Sequence, residues 1–215
     1  DLAENAFPTQ KAYQNEKRNQ VNTRIVRKLE TEFGKQEVGV SGAIAQLHNK
    51  ITDDNGKYYA VGLHTDNNYK RFNVQSSVIH YQYDAKNPDG VNDDMTLMGA
   101  NGLTPAYFIA SEGTIASLNL AYTLPVQDMG KLKAIRFYND YSYLDKKRED
   151  WSDSQMNTTG MMFIASPFMV WADYTWGKNS NIIGGATNAT GFTSTVSPNS
   201  DKWLYRINLN IGFSF

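Results

Sequence analysis

The sequence predicts an all-β protein, a transmembrane antiparallel up-and-down β-barrel, from three observations. In the last segment, 203–215, apolar residues alternate without a break with mostly polar ones, as in a strand with lipid on one face and water on the other. The composition is also that of strands in which every second residue faces water: the mean hydropathy is −0.54 although 40% of the residues are hydrophobic and 13% aromatic, and no run of roughly 18 apolar residues exists, which excludes a transmembrane helix. Finally, short and long connections alternate along the chain.

Four strands are predicted in the first part of the chain, at 21–33, 37–49, 58–64 and 71–78. The dipeptide Asn55-Gly56 is a strong hairpin signal between the second and third of them. In the first, apolar residues recur every four positions, as in an amphipathic helix, and a strand leaves Arg27 on the apolar side. The strand is favoured because short turns and further strands follow without interruption.

Five more strands are predicted at 116–124, 132–143, 159–165, 168–176 and 203–215. Asp173 is central in its strand and marks that strand's wet face. The segment 161–164 is apolar on both faces, so its orientation is left open. A strand of a soluble sandwich is the alternative for 203–215 alone.

The connections sort into two classes. The short ones are 34–36, 65–69, 125–130 and 166–167; the long polar ones are 84–112, 144–157 and 177–202. Outer-membrane barrels have short periplasmic turns and long extracellular loops, whereas a soluble sandwich has no reason to sort its loops in this way.

The odd number of predicted strands bears on whether this chain forms a whole barrel. With Phe215 at the periplasm, nine strands place the start of the first strand outside, whereas bacterial barrels have an even strand number and both ends in the periplasm. We therefore expect 1–20 to be part of an extracellular loop, and 21–215 to be the C-terminal part of a single larger barrel domain. A helix at 21–33 would instead leave a complete eight-stranded barrel.

Three segments resemble the phosphate-selective porin O and P family: 132–146 (LKAIRFYNDYSYLDK), 153–157 (DSQMN) and 171–179 (WADYTWGKN). The likeness extends over about 21–215 and implies a trimeric, water-filled channel of about 16 strands in the outer membrane of Gram-negative bacteria. It further implies passive diffusion of small hydrophilic solutes or ions, including anions, and surroundings of outer-membrane lipid and lipopolysaccharide. The barrel-assembly machinery would recognise the C-terminal strand ending in Phe215.

Six charged residues on predicted polar faces are the candidates for lining the pore: Arg71, Arg136, Asp140, Asp173, Lys202 and Arg206. The alternative is that Arg136 pairs with Asp140, or Arg206 with Asp173, to stiffen the wall. The signs are mixed and no basic cluster is visible, so phosphate selectivity is not predicted.

The segment 84–112 is the candidate for a loop folded into the pore, because it is long and unusually apolar for a solvated connection. Packing against the barrel rim or a neighbouring subunit is the equal alternative. Its acidic residues, Asp84, Asp89, Asp93 and Asp94, do not have EF-hand spacing and are interpreted as solvated.

Other classes of function find little support. The net charge of −1 gives no indication of nucleic-acid binding, and no cofactor motif or catalytic triad order is present. His48, His64 and His80 lack metal-site spacing, so no metal is predicted. Two alternatives stay open. One is a structural or adhesive barrel acting through its long outer loops. The other is a barrel enzyme, for which His80 is the only weak catalytic candidate.

Overall fold

A computed structural model describes residues 15–98, 107–127, 129–149, 151–180, 183, 186–187, 193–194 and 202–213. Most of the predicted loop 1–20, residues 99–106 of the predicted pore loop, and Phe215 lie outside the described residues. Within these ranges all regular structure is β-strand. No helix in them is long and apolar enough to cross a membrane.

Nine strands form one antiparallel sheet in which chain neighbours pair, with the order β1-β2-β3-β4-β7-β8-β9-β10-β13. The strands are β1 Asn15–Thr31, β2 Gly34–Asn49, β3 Asn55–Tyr69, β4 Phe72–Tyr83, β7 Glu112–Pro125, β8 Ala134–Lys146, β9 Ser154–Ala165, β10 Phe168–Lys178 and β13 Leu204–Phe213. The predicted up-and-down topology of nine strands is confirmed, including a strand rather than a helix at 21–33. The sheet is open, with β1 and β13 as its two edges, and it does not close into a barrel.

A second, smaller sheet forms within the two longest connections. Its strands are β5 Met95–Met98, β6 Tyr107–Ala110, β11 Ala186–Thr187 and β12 Thr193–Ser194, in the order β11-β12-β6-β5. These strands were not predicted, because each is only two to four residues long and too short to show a periodic pattern.

Several predicted turns lie elsewhere. Segments 34–36 and 65–69 belong to β2 and β3, and the actual turns are at 32–33 and 70–71. Asn55-Gly56 begins β3 rather than forming the hairpin turn, since Asn55 pairs with His48. Asp53 has a φ of +58° and takes the left-handed position of the 50–54 turn. It therefore supplies the left-handed turn residue that Asn55-Gly56 was expected to supply.

The sorting of loop lengths holds less strictly than predicted. Strands β8 and β9 extend into the predicted loop 144–157 and leave only 147–153 as the connection. That segment is no longer than 126–133 at the opposite end of the sheet. The two connections that are distinctly long are 84–111 and 179–203, and both lie at the same end, which we call the loop end.

The register divides the side chains into two faces with the predicted alternation. One, the apolar face, carries large hydrophobic side chains that are widely exposed from edge to edge: Ile25 is 69% exposed, Leu63 64% and Ile207 76%. Met161 and Phe163 lie on this face, since they pair with Phe137 and Ile135, which resolves the orientation left open for 161–164. The other side, the polar face, carries the hydrophilic set.

The buried core is small and lies at the loop end of the polar face. It contains Leu47, Tyr81, Tyr83 and Ala85, with Ile109 of β6 among the residues packed against it. The sheet therefore leaves most of its large apolar side chains uncovered, far more than monomeric soluble proteins expose.

Candidate functional site: the polar face of the sheet

An unbroken row of hydrophilic side chains crosses the whole sheet. Each member is the direct cross-strand partner of the next, so all of them lie on the same face. The row is Lys28, Glu37, Asp66, Gln75, Asn119, Asp140, Thr158, Thr175 and Arg206, one residue from each of the nine strands. We call it the polar row. Its continuity requires the period-two pattern of nine separate strands to be in register at one level.

At the β1 end, one carboxylate holds the cations of the edge strand. Glu37 lies 2.5 Å from Arg24 Nη2 and 3.5 Å from Lys28 Nζ, with its own side chain only 18% exposed. Arg24 Nε also donates to His64 Nε2 at 3.1 Å. These contacts hold the side chains of His64, Arg24 and Glu37 together on the polar face.

Toward the middle of the polar row, Asp66 accepts hydrogen bonds from two side-chain amides. Its Oδ1 accepts from Asn73 Nδ2 at 2.7 Å and its Oδ2 from Gln75 Nε2 at 3.0 Å. The side-chain oxygen of Asn73, Oδ1, in turn accepts a hydrogen bond from Arg136 Nη2 at 3.0 Å. The chain of contacts orients Arg136 across β7 toward β4, two strands away from its own.

Asp140 and Asp173 are the acidic groups of the C-terminal half. Asp140 accepts a hydrogen bond from Asn119, and Asp173 accepts one from the Tyr138 hydroxyl. Asn208 Nδ2 donates to the second oxygen of Asp173 at 3.1 Å, which connects β10 to the edge strand β13. Both side chains lie on the polar face and have neutral hydrogen-bond partners.

The predicted pore residues are only partly brought together. Asp140 and Arg206 lie in the polar row, and Asp173 and Arg136 lie on the same face in the next two rows. Arg71 is exposed in the 70–71 turn, and Lys202 is exposed just before β13, so both lie at the ends of the sheet. The salt bridges among the described residues do not include Arg136–Asp140 or Arg206–Asp173. Those two pairings were wrong, because each group has a neutral partner or faces solvent.

The charges in the middle rows of this face are balanced. Between the row of Arg24 and the row of Arg136, the strands carry five cations and five anions: Arg24, Lys28, Lys35, Arg136 and Arg206 against Glu30, Glu37, Asp66, Asp140 and Asp173. Basic and acidic side chains are therefore interleaved there without a basic cluster.

Two of the cavities that open onto this face differ in character. One of about 450 Å³ lies over the polar row and reaches from Arg24 and Glu37 to Asn119 and Asp140. The other, of about 440 Å³, lies at the loop end and has mainly apolar walls. Ile109 lines the second cavity, so part of the 84–112 segment packs over the polar face.

The acidic residues of that segment are solvent-accessible, as expected, although three of them also have a partner. Asp84 lies 2.7 Å from Lys86, and this hydrogen bond raises the pKa of the lysine. Asp93 accepts from the backbone of Asn87 at 2.9 Å, and Asp94 lies 2.8 Å from Arg148. No group of three potential metal ligands occurs in the part of the chain that the structure describes.

The histidines occupy different environments. His48 is buried at the loop end beside Asn55, and His64 belongs to the Arg24–Glu37 group. His80 lies on the apolar face, 3.2 Å from the Thr114 hydroxyl and 3.9 Å from Glu112.

Sequence reasoning missed Glu37 and Asp66 as members of the site. Asp66 fell in a segment predicted to be a turn, and Glu37 was taken as the first residue of its strand. Extending the alternation of β3 past His64 would have placed Asp66 on the polar face. The aromatic residues Tyr81 and Tyr83 were missed because β4 was predicted to end at Val78.

Comparison with known proteins gives no match to a family model, a curated protein or a solved structure.

Proposed function

We propose that this chain forms part of the wall of an outer-membrane porin, a β-barrel that encloses a water-filled channel for passive diffusion of small hydrophilic solutes or ions. The observation that carries the proposal is the polar row, which crosses nine strands without interruption behind an apolar face exposed from edge to edge. A sheet in water needs no such pairing of an exposed apolar face with a hydrophilic one. A sheet between lipid and a water column does.

The height of the apolar face supports a membrane setting. On β3, the exposed rings of Tyr59 and Tyr69 bound the apolar face. Ten residues separate them, which corresponds to about 33 Å along the strand. A strand tilt of about 40° reduces this to about 25 Å along the membrane normal, the height of the apolar band in outer-membrane barrels. Further aromatic pairs lie at the end of the sheet opposite the loop end. The ring centroids of Phe72 and Tyr122 are 4.8 Å apart, and those of Phe168 and Phe213 are 5.2 Å apart.

The two free edges support a larger barrel. The edge strands β1 and β13 present unpaired backbone groups along the membrane-facing wall, which costs several kcal/mol for each group left unsatisfied in lipid. Additional strands that pair with both edges remove this cost and close the wall. A barrel of about 16 strands would supply them and leave an aqueous channel inside.

A homotrimer accounts for polar side chains on the apolar face. Asn139 Nδ2 donates to Asn157 and Thr159 at 2.7 Å each, and Thr65 and Ser76 hydrogen-bond to one another at 2.9 Å. These pairs lie on the apolar side of the sheet, where single polar groups are costly against lipid. Contact with neighbouring subunits over part of this face gives them a less apolar environment, with lipid and lipopolysaccharide covering the remainder.

The test is planar-bilayer recording on the full-length protein that contains this chain. Stepwise conductance increments are expected. Absence of conductance from folded, inserted protein would contradict the channel and leave a structural or adhesive role for the loops. The middle rows of this chain's polar face carry balanced charge and are expected to add only a modest ion preference, so strong anion selectivity would place a basic cluster on the remaining strands of the wall.

A further inference from the structure

The cavity at the loop end differs from the rest of the polar face. Its walls are formed by Tyr58, Tyr81 and Tyr83 together with aliphatic side chains from β6, β7 and β8. Tyr58 and Tyr83 have ring centroids 4.6 Å apart, and Tyr81 and Tyr83 5.8 Å apart. At about 440 Å³ it has the volume and the apolar lining of a small-molecule site. A water column does not need such a lining.

One hydroxyl in this cavity has no protein partner. The Tyr81 side chain lines the cavity and is only 8% exposed overall, and its hydroxyl has no hydrogen-bond partner among the described residues. The hydroxyl can therefore donate to a molecule in the cavity that offers an acceptor.

A cation lies beside two of the tyrosines that line this cavity. Lys17 Nζ is 3.6 Å from the centroid of the Tyr58 ring and 4.9 Å from that of Tyr83. No carboxylate of the described residues lies within salt-bridge distance of this ammonium group, and no carboxylate side chain lines the cavity. The cavity is therefore mainly apolar, with tyrosine and serine hydroxyls among its lining and one positive charge next to its tyrosine wall.

We infer that this cavity binds a small aromatic carboxylate, with the ring between the tyrosine and aliphatic walls, and the carboxylate directed to Lys17 and the Tyr81 hydroxyl. The apolar walls select a flat ring, since they offer little to a hydrated ion. The ammonium group selects an anion over a neutral ring of the same size. The polar row, by contrast, carries charges of both signs and no comparable apolar walls.

Isothermal titration calorimetry tests this with benzoate as the probe and the full-length protein in detergent, with protein-free micelles as the blank. Benzoate is expected to bind more tightly than benzyl alcohol, and acetate is expected not to bind. Tyr81→Phe should weaken benzoate binding by about 10- to 150-fold, the loss of one hydrogen bond to a charged group. Lys17→Met keeps the aliphatic stem and should weaken it by about tenfold or more while leaving benzyl alcohol unchanged.

Two control variants keep the result interpretable. Lys28→Met removes a cation from the same strand at the polar row, and Tyr122→Phe removes a hydroxyl from the apolar face; neither should alter benzoate binding. No benzoate binding, equal binding of benzyl alcohol, or indifference to both Lys17→Met and Tyr81→Phe would overturn the inference. Binding does not depend on conductance, so such a failure would not be a failure of the proposed channel.

Discussion

Replacing Leu63 by arginine distinguishes a lipid-facing sheet from a sheet in water. Leu63 is 64% exposed on the apolar face, four residues from Tyr59 and six from Tyr69. These separations correspond to about 13 Å and 20 Å along β3. After correction for tilt, Leu63 lies about 10 Å and 15 Å below the two aromatic levels, close to the middle of the apolar band.

At that depth an outward-facing arginine costs about 2–4 kcal/mol in free energy of folding. On a surface exposed to water, the same substitution at a side chain this exposed would be within about 0.5 kcal/mol of neutral. The two settings therefore predict different magnitudes for one variant. Ser77→Arg is the matched control, since Ser77 pairs with His64 on the polar face and its replacement adds the same charge on the wet side.

Reversible urea or guanidinium unfolding of the full-length protein from lipid vesicles measures both variants. Leu63→Arg should lower the free energy of unfolding by about 2–4 kcal/mol, and Ser77→Arg by less than about 1 kcal/mol. Equal effects of the two substitutions, or a near-neutral Leu63→Arg, would refute the assignment of the apolar face to lipid.

Three further predictions concern the polar face and its loops. Arg206→Glu should shift the reversal potential in a salt gradient toward cation preference, whereas Arg71→Glu in the exposed turn should shift it much less; an equal shift would contradict the placement of Arg206 on the channel wall. Asp66→Ala removes the acceptor of Asn73 and Gln75, and because Asn73 is only 7% exposed, unfolding in denaturant should show a loss of about 1–3 kcal/mol. The hydrogen bond from Lys147 to Glu112 at 2.6 Å raises the pKa of the lysine, so this contact stabilises the fold below the ordinary lysine pKa and is lost as the pH rises through the raised value. NMR titration of Lys147 should show that raised pKa, and Glu112→Gln should lower it; an unchanged pKa in the variant would show that Glu112 is not its cause.

Most of the architecture could be predicted from the alternation of apolar and polar residues along each strand. Asp173 and Arg136 fall on the polar face where alternation placed them, because a one-residue slip would move a whole strand's apolar set to the wrong side. Strand ends were less predictable. Asp66 lies in a polar stretch that resembles a turn, yet it continues β3, since hydrogen bonding to β2 and β4 outweighs weak local propensity.

The contacts made by the charged side chains could not be predicted either. Arg136 was expected to line the pore, with pairing to Asp140 as the alternative; it hydrogen-bonds to Asn73, which is far away in sequence and becomes close only through the sheet order. The small sheet depends on pairing such as Ser194 with Phe108, and no local pattern encodes it. The loop-end cavity likewise needs Tyr58, Tyr83 and Ile109 to come together from three separate strands.

Spin-label accessibility along β3 tests the central claim most directly. This chain contains no cysteine, so single cysteines at 59 to 64 can each be labelled at one place within it. In the full-length protein reconstituted in bilayers, labels at Tyr59, Val61 and Leu63 should be accessible to oxygen and protected from a water-soluble nickel reagent. Labels at Ala60, Gly62 and His64 should show the reverse. Nickel accessibility at all six positions would contradict a wall that separates lipid from a water-filled channel.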